Sequence, residues 1–403
     1  MPSQLPSGEP VPSDGALPSS ALATLGEQSF SVYLHVPFCR TRCGYCDFNT
    51  YTASELAGMA VNDYVEAALQ ELQFAALVLG SDVPPVATVF VGGGTPTLLP
   101  TADLARLIAT VGDCFGLAEG AEVTTEANPE TVSPGSLAEL REAGFTRISL
   151  GMQSVVPHVL RTLERQHTPG RGVEAAGWAH AAGFEHVSLD LIYGTPGESM
   201  ADWQASLAAA AQAPIDHVSA YSLIVEEGTR LALRVRRGEL PTPDDDELAE
   251  KYLAAEEALT TLGFDNYETS NWARGEAGRC RHNLAYWRGG NWWGVGPGAH
   301  SHIGGVRFWN RKHPRSYAAA LRADTTPAQG REILSPEEQR TEQVMLRLRL
   351  AEGLPLGLLT PDERGHADKV VSDGLGMIVG ERLVLTLRGR LLADGVVLRI
   401  LGG

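Results

Sequence analysis

The sequence predicts an α/β protein: a parallel sheet built from six strand–helix units, followed by an α+β extension. Three observations point there. Between residues 30 and about 224, strand-like and helix-like runs alternate six times, the rhythm of βαβ units. The strand-like runs are near-continuously apolar, as in a parallel sheet covered on both faces. Beyond about residue 226 the rhythm stops and a Trp- and Gly-dense stretch begins. Six units fit a partial (β/α)6 barrel, although periodicity alone does not separate that from an open doubly wound sheet.

The elements follow in order. SVYLHV (31–36) is β-rich and ends at Pro37, and a long helical pattern covers roughly 54–79. ATVFVG (87–92) is a second strand, with Thr101 placed as N-cap of the next helix. EVTTEA (122–127) is a third, before a helix near 136–143 that stops at Gly144. RISLGM (147–152), HVSLDLIY (186–193) and HVSAYSLIV (217–225) complete the set. An acid-rich helix (244–262), read as a solvated face, leads into YETSNWARGEAGRCRHNLAYWRGGNWWGVGPGAHS, where Trp287, Trp292 and Trp293 are expected in the core. A helical run from about 335 and a tail resembling the hairpin of a winged-helix-like module close the chain. The expected divisions are a disordered leader (1–28), a core barrel (29–226), an α/β extension (227–330) and a winged-helix-like C-terminal module (331–403).

With 43% apolar and 20% charged residues, the composition is that of a soluble globular protein. A net charge of −17 argues against a nucleic-acid partner, which needs a basic surface to release counterions. For the C-terminal module a protein partner or a lid role is favoured for the same reason. No apolar run reaches the ~18 residues of a membrane span. The leader is Pro-, Ser- and Gly-rich, and the first basic residue is Arg40, so neither a signal peptide nor a presequence is expected and the protein is placed in the cytoplasm. Five cysteines, an odd number, suit a reducing compartment.

Cys39, Cys43 and Cys46 form a C-x3-C-x2-C cluster. Three thiolates can hold three irons of a [4Fe-4S] cluster and leave the fourth open, whereas electron-transfer clusters use four. A zinc knuckle competes, but zinc sites want four ligands, and Cys114 and Cys280 lie far off without a CxxC partner. The spacing resembles the radical S-adenosylmethionine (SAM) superfamily. That resemblance implies that SAM chelates the open iron and that an electron from the cluster cleaves it to a 5′-deoxyadenosyl radical.

Parallel barrels carry their chemistry at the carboxyl ends of strands. Reading those ends gives GGGTPT (Gly92 to Thr97), whose glycines permit close backbone approach and offer amide N–H groups. It resembles the segment that binds the SAM amino group. Next come Glu126, suited to ribose hydroxyls, then Gln153 and Arg165, suited to adenosine or carboxylate, then Asp190, then Ile224, whose backbone can meet adenine. Each alone is ordinary; a surface Glu or a tight turn is the plainer reading. They gain weight by falling at one end of the sheet.

YLHVPFCRTRCGYCDFN, GGGTPT, EANPE, LGMQS, DLIYGTPG and HNLAYW together resemble the HemW family, within the wider group of oxygen-independent coproporphyrinogen III oxidase-like proteins, over roughly residues 30–403. In that group a first SAM is contacted by residues matching Tyr33, Gly93, Glu126 and Ile224. A second SAM, in the oxidase, is contacted by residues matching Tyr45, Gly94, Thr95, Gln153, Arg165 and Asp190; these side chains are present, which leaves open whether a second SAM binds. The oxidase follows its third cysteine with Gly and a fourth cysteine, where this chain has Asp47, Phe48 and Asn49. HNLAYW matches the HNxxYW motif linked to heme in HemW, so the resemblance makes His282 the heme ligand, with His300 and His302 as rivals and a packed turn as the structural alternative.

The resemblance therefore implies a heme chaperone with a [4Fe-4S] cluster on Cys39, Cys43 and Cys46, exchangeable SAM, heme, an electron donor for the cluster and an unidentified heme-acceptor protein. It does not imply a decarboxylating enzyme. The rival is an oxygen-independent coproporphyrinogen III oxidase; a radical SAM enzyme acting on RNA or a small molecule is disfavoured by the acidic balance.

Overall fold

The computed structural model describes residues 6–56 and 61–402. Six parallel strands stand side by side in chain order: β1 (Phe30–Val36), β2 (Val86–Gly93), β3 (Leu117–Ala127), β4 (Arg147–Gln153), β5 (His186–Tyr193) and β6 (His217–Ser222). They fall within a residue of the expected bounds, apart from an earlier start for β3 and an earlier end for β6. The first helix is described from Val61 to Leu79, and residues 57–60 of its expected span lie outside the described residues. It buries Tyr64, Ala68, Leu72, Ala75 and Leu79, an i, i+3/i+4 stripe facing the sheet. Thr101 opens its helix as the first helical residue, not the N-cap; Pro100 holds the extended cap conformation without a side-chain hydrogen bond.

The 227–330 stretch builds no sheet of its own. β7 (Asp265–Glu268) and β8 (Asn271–Ala273) extend the sheet beyond β6, with β8 antiparallel to it. β9 (Asn291–Val295) lies parallel to β1 on the other edge, and β10 (His300–Ile303), β11 (Val306–Asn310) and β12 (Ala328–Ile333) continue outward. β1 and β6 each spend their outer edge on these additions, so the barrel stays open.

The strands are not apolar on both faces. On β5, Val187, Leu189 and Leu191 are buried in the core, whereas Ser188 and Asp190 line a hollow on the other face. β4 repeats this with Ile148 and Leu150 against Arg147 and Ser149, and β6 with Val218 and Ala220 against Ser219 and Tyr221. The period is the alternation of a pleated strand. Small hydroxyl residues among the apolar ones made the runs read as continuous.

The expectation of a disordered leader fails for residues 6–28. Glu9 and Arg331 exchange both backbone hydrogen bonds, at 2.9 and 3.0 Å, and their side chains pair at 2.7 Å. Ala21 and Leu25 are buried in the main core, and Gly8 lies against the Trp309 ring. An extended strap needs no helical periodicity when an edge strand supplies its partners, so composition does not reveal it.

At the C-terminus, β13 (Leu354–Pro355), β15 (Arg382–Leu385) and β14 (Gly376–Val379) form a small antiparallel sheet in that order. It packs with helices Pro336–Arg347, Pro361–Ser372 and Ala393–Ile400 around a separate core that includes Val344, Leu348, Val370, Leu383 and Val397. Ser335 with Glu338, and Thr360 with Glu363, cap two of these helices reciprocally.

Candidate active site

The hollow inside the six strands is a cavity of about 970 Å³ running from the Cys39–Cys46 loop down to Arg147, His217, Cys280 and Asn283. All three clustered cysteines line it, together with Tyr45, Gly93, Gly94, Thr95, Glu126, Gln153, Arg165, Asp190 and Ile224. Cys114 does not line it, and Cys280 lies in its wall at the opposite end of the strands.

Burial pushes the Cys46 thiol up to about 11 and raises Cys39 as well, so these sulfurs ionise when a cation replaces the lost water. The Arg165 guanidinium points one N–H at Cys43 Sγ (3.6 Å) and another at the Gly151 carbonyl (2.9 Å). Among the described residues, no three ligating side chains converge as on a single metal ion.

The glycine turn behaves differently from expectation. Its N–H groups are already spent: Gly93 donates to Glu126 Oε2 (3.0 Å), Gly94 to the Val36 carbonyl (2.8 Å) and Thr95 to the Phe38 carbonyl (2.8 Å). The glycines serve close packing instead. Gly93 has φ +109°, and a Cβ there would come within 2.6 Å of the His35 ring. An ammonium ligand needs acceptors, so the loss of free donors does not oppose it.

Glu126 is half-buried in the cavity wall, and desolvation first, then the Asp190 charge, lift its pKa to about 7 despite the Gly93 N–H and Arg165. Asp190 accepts from Ser149 Oγ (2.7 Å). Gln153 sits at φ +64°, a left-handed conformation costly for a non-glycine residue. The register shift between β4 and β5 at this point aims it into the cavity. Thr124 Oγ1, Arg147 Nη1, Arg165 Nε and His167 Nδ1 are buried on the cavity wall without hydrogen-bond partners among the described residues. Such atoms call for a polar occupant, and SAM, with its hydroxyls, carboxylate and adenine, is one.

Two expected site residues sit elsewhere, and a third stands only at the rim. β6 ends at Ser222, so Ile224 belongs to the following loop and stands on the cavity rim, 66% exposed. Tyr33 is not on this cavity's wall. Its hydroxyl meets His35 Nδ1 (3.0 Å), and it lines a second, separate cleft of about 490 Å³. His282 lines neither. It is 1% exposed, on the helix Arg281–Trp287 that closes the far end of the barrel. Thr88 Oγ1 donates to Ser31 and so accepts from His282 Nδ1 (2.7 Å), which leaves His282 Nε2 to accept from Tyr286 Oη (2.9 Å). Burial lowers its pKa to about 4, so the ring is neutral, but its lone pair is taken. That geometry presents no free nitrogen to iron. The Trp cluster splits too: Trp293 is buried as expected, whereas Trp292 lines the second cleft.

What sequence reasoning missed is the anchor of this helix. Glu122 and Arg147, each 2% exposed at the side chain, pair at 3.0 Å. Glu122 accepts from the Arg281 and His282 backbone N–H groups, and Arg147 donates to the Gly278 and Arg279 carbonyls. Both residues begin or flank strands expected to be apolar, and only the strand alternation signals them.

The model for the radical SAM superfamily matches residues 33–210, and the HemN C-terminal domain model matches residues 334–392. The heme chaperone HemW of Mycobacterium tuberculosis is 57% identical over 381 residues, spanning 94% of this chain and 97% of the relative. The heme chaperone HemW of Synechocystis sp. is 37% identical over 352 residues, spanning 85% of this chain and 83% of the relative. Among solved structures, coproporphyrinogen III oxidase (HemN) from Escherichia coli matches with a TM-score of 0.79 over 94% of this chain and 92% of that one. At 22% identity that likeness is one of fold. No helix among the described residues is long and apolar enough to cross a membrane.

Proposed function

The chain belongs to the family of the heme chaperone HemW, within the radical SAM superfamily, and from that premise we propose that it binds heme and passes it to an acceptor protein. The observation that carries this is the end-to-end similarity, 57% over 94% of the chain. We assign Cys39, Cys43 and Cys46 as the thiolates of a [4Fe-4S] cluster. The polar wall around Glu126, Gln153, Arg165 and Asp190, with the Gly93–Thr95 turn, is assigned to SAM. Bound cluster and SAM supply one-electron chemistry, which requires an external electron donor. The chain's own part is to bury the thiolates, neutralise them with Arg165 and hold carboxylates where ribose hydroxyls can donate. The cytoplasm is the proposed compartment.

The test is anaerobic reconstitution followed by two parallel challenges. With hemin, a saturable Soret shift is expected, and the bound heme should move to an added apo-hemoprotein. With coproporphyrinogen III, SAM and a low-potential reductant, no decarboxylation is expected. Accumulation of protoporphyrinogen IX, with hemin held no better than by an unrelated acidic protein, would replace this reading by the oxidase.

A further inference from the structure

We propose that the heme seat is the second cleft and that His300, not His282, is its iron ligand; this rests on the chaperone reading above. The cleft is about 490 Å³, within the ~300–1,000 Å³ typical of small-molecule sites. Tyr33, Phe48, Tyr286, Trp292, His300 and Lys312 all line it. This set supplies the chemistry a metalloporphyrin needs: aromatic surface, an imidazole and a cation for propionate.

Among the three candidate histidines, only one offers a free nitrogen to a cavity. His282 spends both ring nitrogens on Thr88 and Tyr286. His302 donates Nδ1–H to the Gly290 carbonyl (2.9 Å) and lines neither cavity. His300 is exposed, and no hydrogen bond to its ring is found among the described residues. Its position is fixed through its backbone, where the carbonyl accepts from Trp292 Nε1 (2.9 Å). Lys312 lines the same cleft, as does Asp47, whose charge acts on it, and Lys312 makes no ion pair within 4 Å among the described residues. Its own carbonyl is held by Asn49 Nδ2 (2.9 Å) and Tyr51 Oη (3.2 Å).

The HNLAYW segment then acts at one remove. His282 holds the Tyr286 hydroxyl, and the Tyr286 ring packs edge-on against Trp292 with centroids 4.6 Å apart. His282 is thus a positioning residue for the aromatic wall. Phe48, 57% exposed, lines both the cleft and the cysteine-lined cavity, so heme would lie beside the cluster loop and open to an acceptor.

The experiment titrates hemin into the reconstituted full-length protein and its variants, reading the Soret band, the heme electron paramagnetic resonance signal and affinity. His300→Gly should lose the histidine-ligated signature and at least tenfold in affinity, with an unchanged melting temperature, and added imidazole should restore the signature. His282→Ala should weaken binding while keeping that signature. Lys312→Met should weaken hemin binding but not binding of its dimethyl ester. If wild-type protein does not bind hemin, the chaperone reading itself fails. If it binds and His300→Gly leaves both affinity and spectrum unchanged, or if His282→Ala or His302→Ala alone abolishes the signature, this assignment is overturned.

Discussion

Replacing Glu126 by Gln removes the carboxylate that accepts from the glycine turn, at Gly93 N–H, and lines the cavity wall. The substitution keeps the shape and one acceptor for the Gly93 N–H. What it removes is a charged acceptor for ligand hydroxyls, worth about 1.5–3 kcal/mol. At about 1.4 kcal/mol per decade, SAM should bind roughly ten- to a hundredfold more weakly. The pH dependence supplies an internal check. With its pKa raised to about 7, Glu126 is mostly protonated at pH 6 and mostly ionised at pH 8 in the SAM-free protein. Affinity that needs the ionised form should therefore rise about tenfold across that interval, since one pKa unit is worth about 1.4 kcal/mol. The Gln variant loses that component, and any slope it retains belongs to the ligand or to other groups. Anaerobic calorimetry of both proteins at pH 6, 7 and 8, with iron content measured in each, decides the matter. A variant that binds SAM within twofold of wild type, or one with the same pH slope, would refute the role given to this carboxylate.

Other consequences can be measured alongside. Cys43→Ala should abolish the reconstituted cluster's paramagnetic signal, whereas Cys114→Ala and Cys280→Ala should leave iron loading intact. Gly93→Ala places a methyl group about 2.6 Å from the His35 ring at φ +109° and should destabilise the fold by ~3 kcal/mol in urea melts, through strain and overpacking together. Glu122→Ala strands the buried Arg147 charge and should cost about 3–5 kcal/mol, while the double change Glu122→Leu/Arg147→Met should recover much of that loss. Glu71, fully buried among Tyr317, Asn310 and Gly296, has its pKa raised by desolvation to about 7. A raised acid adds stability below its unfolded pKa and loses it as pH climbs through the folded value. In the Glu126→Gln background, unfolding free energy should fall by about 1.4 kcal/mol between pH 6 and pH 8 on account of Glu71; a flat profile would contradict its protonated burial.

The cysteine cluster, the order of six strands and most of the carboxyl-end residues were legible in the sequence. Each is a local pattern: a thiol spacing, a strand closed by Gly or Pro, a polar residue just past an apolar run. Less legible was anything set by what lies across the sheet. The hollow interior depends on Ser149 standing beside Ser188, and Asp190 beside Ser219, on neighbouring strands, and one sequence run cannot reveal the residue opposite. The leader's order depends on the free edge of β12, more than 300 residues away in the chain.

The histidines mark the boundary most clearly. Sequence determined that HNLAYW and GAHSH are present, and motif resemblance singled out His282. Tertiary structure decided which ring nitrogens are already engaged and which imidazole lines a cavity. Thr88 on β2 and Tyr286 one helical turn away consume both nitrogens of His282, while His300, at the start of β10, faces an open aromatic cleft. A histidine's capacity to bind a metal is set by the hydrogen bonds its ring already makes, and those partners are chosen by the fold, not by neighbours in sequence.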